Sequence, residues 1–179
     1  MNHDYLASDI AKHYADNEQY PNLIRGHKSQ WLSDGTINGM FTLYAHLDSK
    51  MHNFESGWRQ SIFIDSLNSE CIFKEINERN WAAIRRRLST KVYNACCNNI
   101  FELDRIFIAQ HKPGHWTLTI IFIQQMAIVY YDSFNSAPAD DVNSPTKLLL
   151  WLEMEANERN VPFHRSVWHF TCAKCVPQV

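Results

Sequence analysis

The pattern of apolar and polar positions predicts two amphipathic helices in the first half of the chain. Ser33 or Asp34 can cap the first helix, whose apolar side chains recur every three or four residues. That apolar face consists of Ile37, Met40, Phe41, Tyr44 and Leu47.

The second helix is predicted to begin at about Asn80. Its apolar side consists of Trp81, Ile84, Leu88 and Val92. The opposite side is basic and carries Arg85, Arg86, Arg87 and Lys91. A solvated helix face explains this charge, and a docking patch for an acidic partner is the alternative.

Four strand-like runs lie in the middle of the chain. The first is short and covers residues 62–64. The other three are rich in β-branched and aromatic side chains and cover residues 105–110, 116–123 and 126–131. The short connection at residues 124–125 predicts that the last two runs form a hairpin.

The residue pattern in the last part of the chain predicts one more helix and one more strand. Ser144 and Pro145 are typical of an N-cap and a first helical position, and Pro162 is expected to end that helix. Residues 166–171 are expected to form the last strand. Helices around a central mixed sheet predict an α+β fold.

With 179 residues, the chain is expected to form one domain. It would cover residues 30–179, after an N-terminal extension at residues 1–29 with one short helix near residues 5–14. The net charge of -2 argues against a nucleic-acid partner, and no apolar run reaches membrane-spanning length. Five cysteines without a secretory signal indicate reduced thiols inside the cell, in the nucleus or cytoplasm.

His115 and Asp132 are the strongest candidates for chemistry. His115 follows Pro113 and Gly114, a turn that places it at the start of a strand, and Asp132 ends the next strand. These two positions lie side by side in a hairpin with a short connection, so we expect the two side chains to be neighbours. A His oriented by a carboxylate is the general-base half of a nucleophilic triad, and a surface ion pair is the alternative.

Trp31 and Trp116 are the next candidates. Buried tryptophans ordinarily fill a core, but Trp116 directly follows the candidate base. Two facing indole rings can form a narrow slot that admits only a backbone without side chains. Such a slot would select glycine at the scissile end of a substrate.

These residues resemble the motifs of the ubiquitin-like-protein (Ulp) and sentrin-specific proteases, a family of cysteine peptidases. Residues 31–38, Trp-Leu-Ser-Asp-Gly-Thr-Ile-Asn, resemble the Trp-Leu-x-Asp-x-x-Ile-Asn motif that opens the family's catalytic domain. His115-Trp116 and residues 130–133, Tyr-Tyr-Asp-Ser, resemble two further motifs at the family's spacing. The resemblance covers about residues 30–179.

The resemblance implies an α+β, papain-like fold. It implies hydrolysis after the C-terminal Gly-Gly of SUMO or another ubiquitin-like modifier, with no metal and no other cofactor. His115 would be the general base, and Asp132 would orient it. Trp31 and Trp116 would line the tunnel for the Gly-Gly tail, and Asp34 would help to grip that tail.

The resemblance does not supply a nucleophile. In the family, a Pro-Gln-Gln segment and a turn precede the Asp-Cys-Gly motif that holds the nucleophilic Cys, whereas this chain reads Val-Pro-Gln at residues 176–178 and then Val179. We therefore expect the catalytic domain to be incomplete at its C-terminus and inactive as it stands, and Gln178 is not carried over as the oxyanion-stabilising residue. The alternative function is a pseudoprotease module that binds a ubiquitin-like modifier without cleaving it.

Cys172 and Cys175 are the cysteines nearest to that segment. They lie on a strand-like run, without the helix N-terminus that activates a thiol. We expect core thiols, and substitution for the nucleophile is the alternative. With His164 and His169 they offer zinc ligand types, but an extended strand would place them on alternating faces, so we expect no metal site.

Overall fold

The computed structural model describes residues 33–54, 57, 59–77, 79–88, 99–112, 114–134 and 144–174. Its helices are Asp34–Phe54 (α1), Ser66–Glu70 (α2), Trp81–Leu88 (α3) and Ser144–Glu158 (α4). Its strands are Ile62–Ile64 (β1), Arg105–Lys112 (β2), His115–Phe122 (β3), Ala127–Asp132 (β4) and His169–Cys172 (β5). A π-helical turn, Cys71–Glu75, continues α2, and 3-10 turns cover Ile100–Glu102 and Arg165–Val167.

Side-chain caps determine where two of these helices begin. The Ser33 Oγ accepts a hydrogen bond from the Thr36 backbone N–H at 3.2 Å, so α1 begins where the sequence predicts and Ser33 is the residue that caps it. The Asp65 carboxylate caps α2 in the same way, by accepting from the Asn68 N–H at 2.8 Å. No periodic pattern predicts α2, because this helix has only five residues.

The predicted end of α4 at Pro162 is wrong. The helix ends at Glu158, and Asn160 then adopts the left-handed conformation with a φ of 55°. The Val161 N–H donates to the Ala156 carbonyl oxygen at 2.9 Å. A left-handed residue with this bond satisfies carbonyls at the helix end, so the helix stops before the proline.

Two predicted connections also differ from the structure. The link between β3 and β4 has four residues, 123–126, because the strands end one residue earlier and begin one residue later than expected. The last predicted strand, 166–171, is only partly right, because Arg165–Val167 form a 3-10 turn before β5. The predicted helix near residues 5–14 and the apolar Val92 lie outside the described residues. In the described part, no helix combines the length and the apolar character that crossing a membrane requires.

The five strands form one mixed sheet in the order β1-β2-β3-β4-β5. The two outer pairs are parallel, and the inner pairs β2–β3 and β3–β4 are antiparallel. The hairpin predicted between β3 and β4 is therefore confirmed, as is the α+β class with a central mixed sheet.

One face of the sheet forms the hydrophobic core. Its isoleucines pack against α4 and the π-helical turn, and fully buried members include Ile64, Ile106, Ile108, Ile121, Ile128, Leu148, Trp151 and Leu152. Each such aliphatic side chain contributes roughly 1.5–3 kcal/mol when it is fully buried. Where β2 ends and β3 begins, the same face becomes polar, with buried Gln110, Thr117 and Asp132. The apolar part of this face packs in the core and stabilises the sheet, and the polar part contains the candidate site.

The basic side of α3 is used within the protein at Arg85. The guanidinium lies 2.6 Å from the Glu158 carboxylate on α4 and 5.4 Å from the centroid of the Trp81 ring. This contact ties α3 to α4. At this residue, the charge therefore does not require an acidic partner.

Candidate active site

His115 and Asp132 meet where the sequence predicts. Gly114 turns the chain into β3 with a φ of 68°, which a glycine adopts without strain, so His115 becomes the first residue of β3. The register pairs Thr117 with Asp132, the last residue of β4. Because side chains alternate along a strand, His115 and Thr117 share a face with Asp132. The His115 Nε2 lies 2.6 Å from the Asp132 Oδ1.

Three hydrogen-bond donors surround the Asp132 carboxylate, although its side chain is only 2% exposed. Oδ1 accepts from the His115 ring and from the Phe134 backbone N–H at 2.8 Å. Oδ2 accepts from the Tyr130 hydroxyl at 3.3 Å. A buried carboxylate is tolerated only when such donors replace its hydration, so this arrangement excludes a loose surface ion pair.

The orientation of His115 leaves one ring nitrogen for chemistry. An ionised carboxylate can only accept hydrogen bonds. The ring proton is therefore on Nε2, and this N–H donates a hydrogen bond to Asp132. In the neutral ring, Nδ1 then holds the lone pair and can take a proton from another group. The Phe134 ring stacks on the imidazole, with 4.0 Å between centroids and 23° between planes, and covers part of one face.

Trp116 lies next to His115 in sequence but on the opposite face of β3. It is half-buried, and its ring centroid is 4.8 Å from that of His111, its partner on β2. Trp31 lies outside the described residues, so the slot between two indoles stays a prediction. Asp34 is exposed at the first residue of α1, and its role in gripping the substrate tail stays a prediction.

Of the described cysteines, Cys172 is far from the imidazole and Cys71 is buried in the core. Cys172 pairs across the sheet with Tyr130, and Tyr130 pairs with Thr119, four residues along β3 from His115. Two strand spacings of roughly 4.8 Å and four residues of roughly 3.3 Å place the Cys172 and His115 Cα atoms about 16 Å apart. Cys71 is buried in the core and donates to the Leu67 carbonyl oxygen at 3.6 Å.

The expectation of a core thiol at Cys172 is wrong, because its side chain is exposed on the edge strand β5. Cys175 lies outside the described residues. Within the described part, no three His, Cys, Asp or Glu side chains are grouped so that they could hold a metal ion.

Sequence reasoning missed three residues of the site. Tyr130 lies two residues before Asp132 and therefore on the same face of β4, which the alternation of a strand could have revealed. Lys112 donates to the Tyr130 hydroxyl oxygen at 2.9 Å from the end of β2, and it faces His115 across the turn. No sequence pattern indicated Phe134, because its position depends on the bond from its own N–H to Asp132.

The sequence is similar to a family of proteases and to individual proteases. Residues 30–179 match the model of the Ulp1 protease family, C-terminal catalytic domain. Ubiquitin-like-specific protease ESD4 from Arabidopsis thaliana is 25% identical over 139 residues, which are 74% of this chain and 25% of that protein. Human sentrin-specific protease 5 is 31% identical over 98 residues, which are 52% of this chain and 13% of that protein. The chain therefore spans a quarter or less of the length of these relatives.

Solved structures of the same kind resemble the fold. The Ulp1-like SUMO protease catalytic domain of Chaetomium thermophilum superposes with a TM-score of 0.58 at 17% identity, over 80% of this chain and 53% of that one. The C-terminal Ulp1 protease domain in complex with Smt3, the yeast ortholog of SUMO, superposes with a TM-score of 0.53 at 20% identity, over 83% and 59%. These likenesses show the α+β, papain-like fold that the sequence motifs predicted. Because the family match extends over most of its length, the chain belongs to the Ulp1 protease family.

Proposed function

We propose that this chain carries the general-base half of a cysteine peptidase that hydrolyses the bond after the C-terminal Gly-Gly of SUMO or another ubiquitin-like protein. The observation that carries the proposal is the 2.6 Å contact between His115 Nε2 and Asp132 Oδ1. Membership of the Ulp1 protease family supports the reaction type. The structure of a family member in complex with Smt3 supports the class of partner.

In this mechanism, the lone pair on Nδ1 of His115 takes the proton of a cysteine thiol. The thiolate attacks the carbonyl carbon of the terminal glycine, and the imidazolium returns the proton to the departing amine. Water then hydrolyses the thioester, with Nδ1 again accepting the proton. Asp132 holds the ring in one orientation and stabilises the imidazolium. We assign the thiol to a cysteine outside the described residues, because Cys172 lies about 16 Å from His115 and Cys71 is buried in the core.

The outer face of the sheet offers a surface for the folded part of the modifier. A cavity of about 670 Å³ lies on this face, between α1 and strands β1 to β3. Its lining includes Phe41, Tyr44, Phe63, Phe107 and Leu118, and the Phe63 and Phe107 rings stack at 4.7 Å. Leu118 lies two residues beyond Trp116 on the same face of β3. A modifier seated here could therefore send its tail past Trp116 to the start of β3.

Binding of SUMO to the 179-residue chain tests this proposal. We expect SUMO that ends in Gly-Gly to bind at least tenfold more tightly than SUMO that ends in Ala-Ala, because β-carbons should not fit beside Trp116. Trp116→Ala should weaken binding of the Gly-Gly form. Phe170→Ala changes an exposed aromatic side chain on the edge strand β5, on the other face of the sheet, so it is the matched control and should change little. Equal affinity for both tails would overturn the proposal.

A binding module without peptidase activity is the second candidate. The distance of Cys172 from His115 and the burial of Cys71 favour it for the chain as it stands. We expect the 179-residue chain to bind SUMO but not to release a fluorophore from the SUMO C-terminus. SUMO bearing a C-terminal electrophile should likewise leave its cysteines unlabelled. Fluorophore release that His115→Ala abolishes would reject this second candidate, and labelling at Cys172 would overturn the exclusion of that thiol.

A further inference from the structure

We infer that Lys112 and Tyr130 are positioning residues for the pair formed by His115 and Asp132. The four side chains form a continuous series of hydrogen bonds across three strands. This inference deepens the proposed function and rests on it, since positioning matters only if His115 acts as a base.

The contacts run from an ammonium group to an imidazole. The Lys112 Nζ donates to the Tyr130 Oη at 2.9 Å, and it lies 5.3 Å from the centroid of the same ring. The Tyr130 Oη donates to the Asp132 Oδ2 at 3.3 Å. The other oxygen, Oδ1, accepts from the His115 Nε2 at 2.6 Å. Tyr130 is 2% exposed and Asp132 is 3% exposed, so water has little access to the middle of the series.

The chemistry of the donors gives the series one direction. A lysine ammonium has protons to give but no lone pair, so the Tyr130 oxygen must accept from it. The single proton of that hydroxyl is then left for Asp132. Without the ammonium, the hydroxyl would be free to rotate toward another acceptor.

The fold explains how a lysine on β2 reaches a tyrosine on β4. Lys112 lies opposite His115, and Tyr130 lies opposite Thr119, so both face the same side of the intervening strand β3. Thr117 is the β3 residue of this face between His115 and Thr119, and it is 4% exposed. Its small side chain leaves room for the lysine stem to cross over the strand.

This series restrains the carboxylate at both oxygens. A carboxylate held by Tyr130 on one side and by the Phe134 N–H on the other cannot turn away from the imidazole. The proton of the neutral ring therefore stays on Nε2, and Nδ1 remains available as the base. The positive charge of Lys112 also offsets part of the hydration that the buried carboxylate of Asp132 has lost.

Nitrogen NMR of the histidine ring tests the inference on the 179-residue chain. Long-range proton–nitrogen correlations, recorded where the ring is neutral, show which nitrogen carries the proton. We expect Nε2–H in the unsubstituted chain. Lys112→Met and Tyr130→Phe should each lower the ratio of Nε2–H to Nδ1–H about fivefold, the factor that the loss of one ordinary hydrogen bond produces. Lys112→Arg keeps a donor without a lone pair and should restore the ratio.

Two matched variants serve as controls. Lys50→Met changes an exposed lysine on α1, and Tyr131→Phe changes the neighbouring tyrosine on the opposite face of β4, so neither should alter the ratio. An unchanged ratio in both Lys112→Met and Tyr130→Phe, with dispersed amide spectra, would overturn the inference. If a variant fails to fold, the unsubstituted chain still decides, because a Tyr130 hydroxyl proton that exchanges as fast as that of free tyrosine contradicts the series.

The ring measurement is independent of the modifier. A ratio that responds as expected in a chain that does not bind SUMO would reject the proposed function and leave the hydrogen-bond series standing. If the chain binds the Gly-Gly form preferentially but the ratio of Nε2–H to Nδ1–H is unchanged in both variants, only the positioning role of Lys112 and Tyr130 is rejected.

Discussion

Replacing Asp132 by alanine should destabilise the fold much more than removing an ordinary surface acid. The change removes a carboxylate that is 2% exposed and that accepts from His115, Tyr130 and Phe134. A hydrogen bond to a charged group is worth roughly 1.5–3 kcal/mol. The losses of the three hydrogen bonds do not add fully. The Tyr130 hydroxyl still has its hydrogen bond from Lys112. The Phe134 N–H can bind water instead, because this residue is 55% exposed.

We therefore expect the free energy of unfolding to fall by about 3–5 kcal/mol, the range seen when one partner of a buried pair is removed. For a domain of this size, that loss corresponds to a fall in Tm of roughly 6–20 °C. Asp132→Asn retains the volume and one acceptor, so its cost should be smaller, about 1–2 kcal/mol.

Urea denaturation followed by tryptophan fluorescence measures these differences. Asp104→Ala is the matched control, because the Asp104 carboxylate is 31% exposed and lies 3.0 Å from Arg105 in a surface pair, and such pairs contribute about 0–1 kcal/mol. An equal fall in unfolding free energy for Asp132→Ala and Asp104→Ala would refute the claim that the Asp132 carboxylate is buried and held by several hydrogen bonds.

Three further predictions concern exposure and charge. Phe134→Ala should speed carbethoxylation of the imidazole that its ring covers, measured with diethyl pyrocarbonate and peptide mapping. Iodoacetamide should modify the exposed Cys172 in the native chain and leave the buried Cys71 unmodified until urea unfolds the protein. Glu155→Ala should cost about 3–5 kcal/mol in unfolding free energy, since Glu155 is fully buried beside two arginines, whereas Arg165→Ala breaks an exposed pair and should cost about 1 kcal/mol or less.

The sequence predicted the meeting of His115 and Asp132 because a hairpin constrains it. Side chains alternate between the two faces of the sheet along β3 and β4, so position in the strand determines the face. The turn sets the register and so determines which residues of β3 and β4 lie opposite each other. An error of two residues in the length of the connection did not matter, since both strands shortened together at that end. The same alternation covers Tyr130, because its spacing of two residues from Asp132 places both side chains on one face of β4.

Other parts of the fold gave no usable pattern. All four residues of β5 are exposed, so no alternation of buried and exposed positions marks where this strand begins. The segment from Ser66 to Glu75 changes from an α-helix to a π-helical turn within ten residues, which is too short for a periodic signal. The role of Lys112 has no sequence pattern, because its partner Tyr130 lies two strands away and their contact forms only in the complete sheet.

Photo-crosslinking from the modifier tail tests most directly whether the site made by His115 and Asp132 receives it. SUMO whose terminal glycine carries a small photoreactive amide would be bound to the 179-residue chain and irradiated, and the crosslinked peptides identified by mass spectrometry. We predict crosslinks to residues 114–116 and to Phe134, which surround the imidazole, and their loss when the tail ends in Ala-Ala. A bound modifier whose tail crosslinks only elsewhere, for example to β5 or α3, would contradict the account.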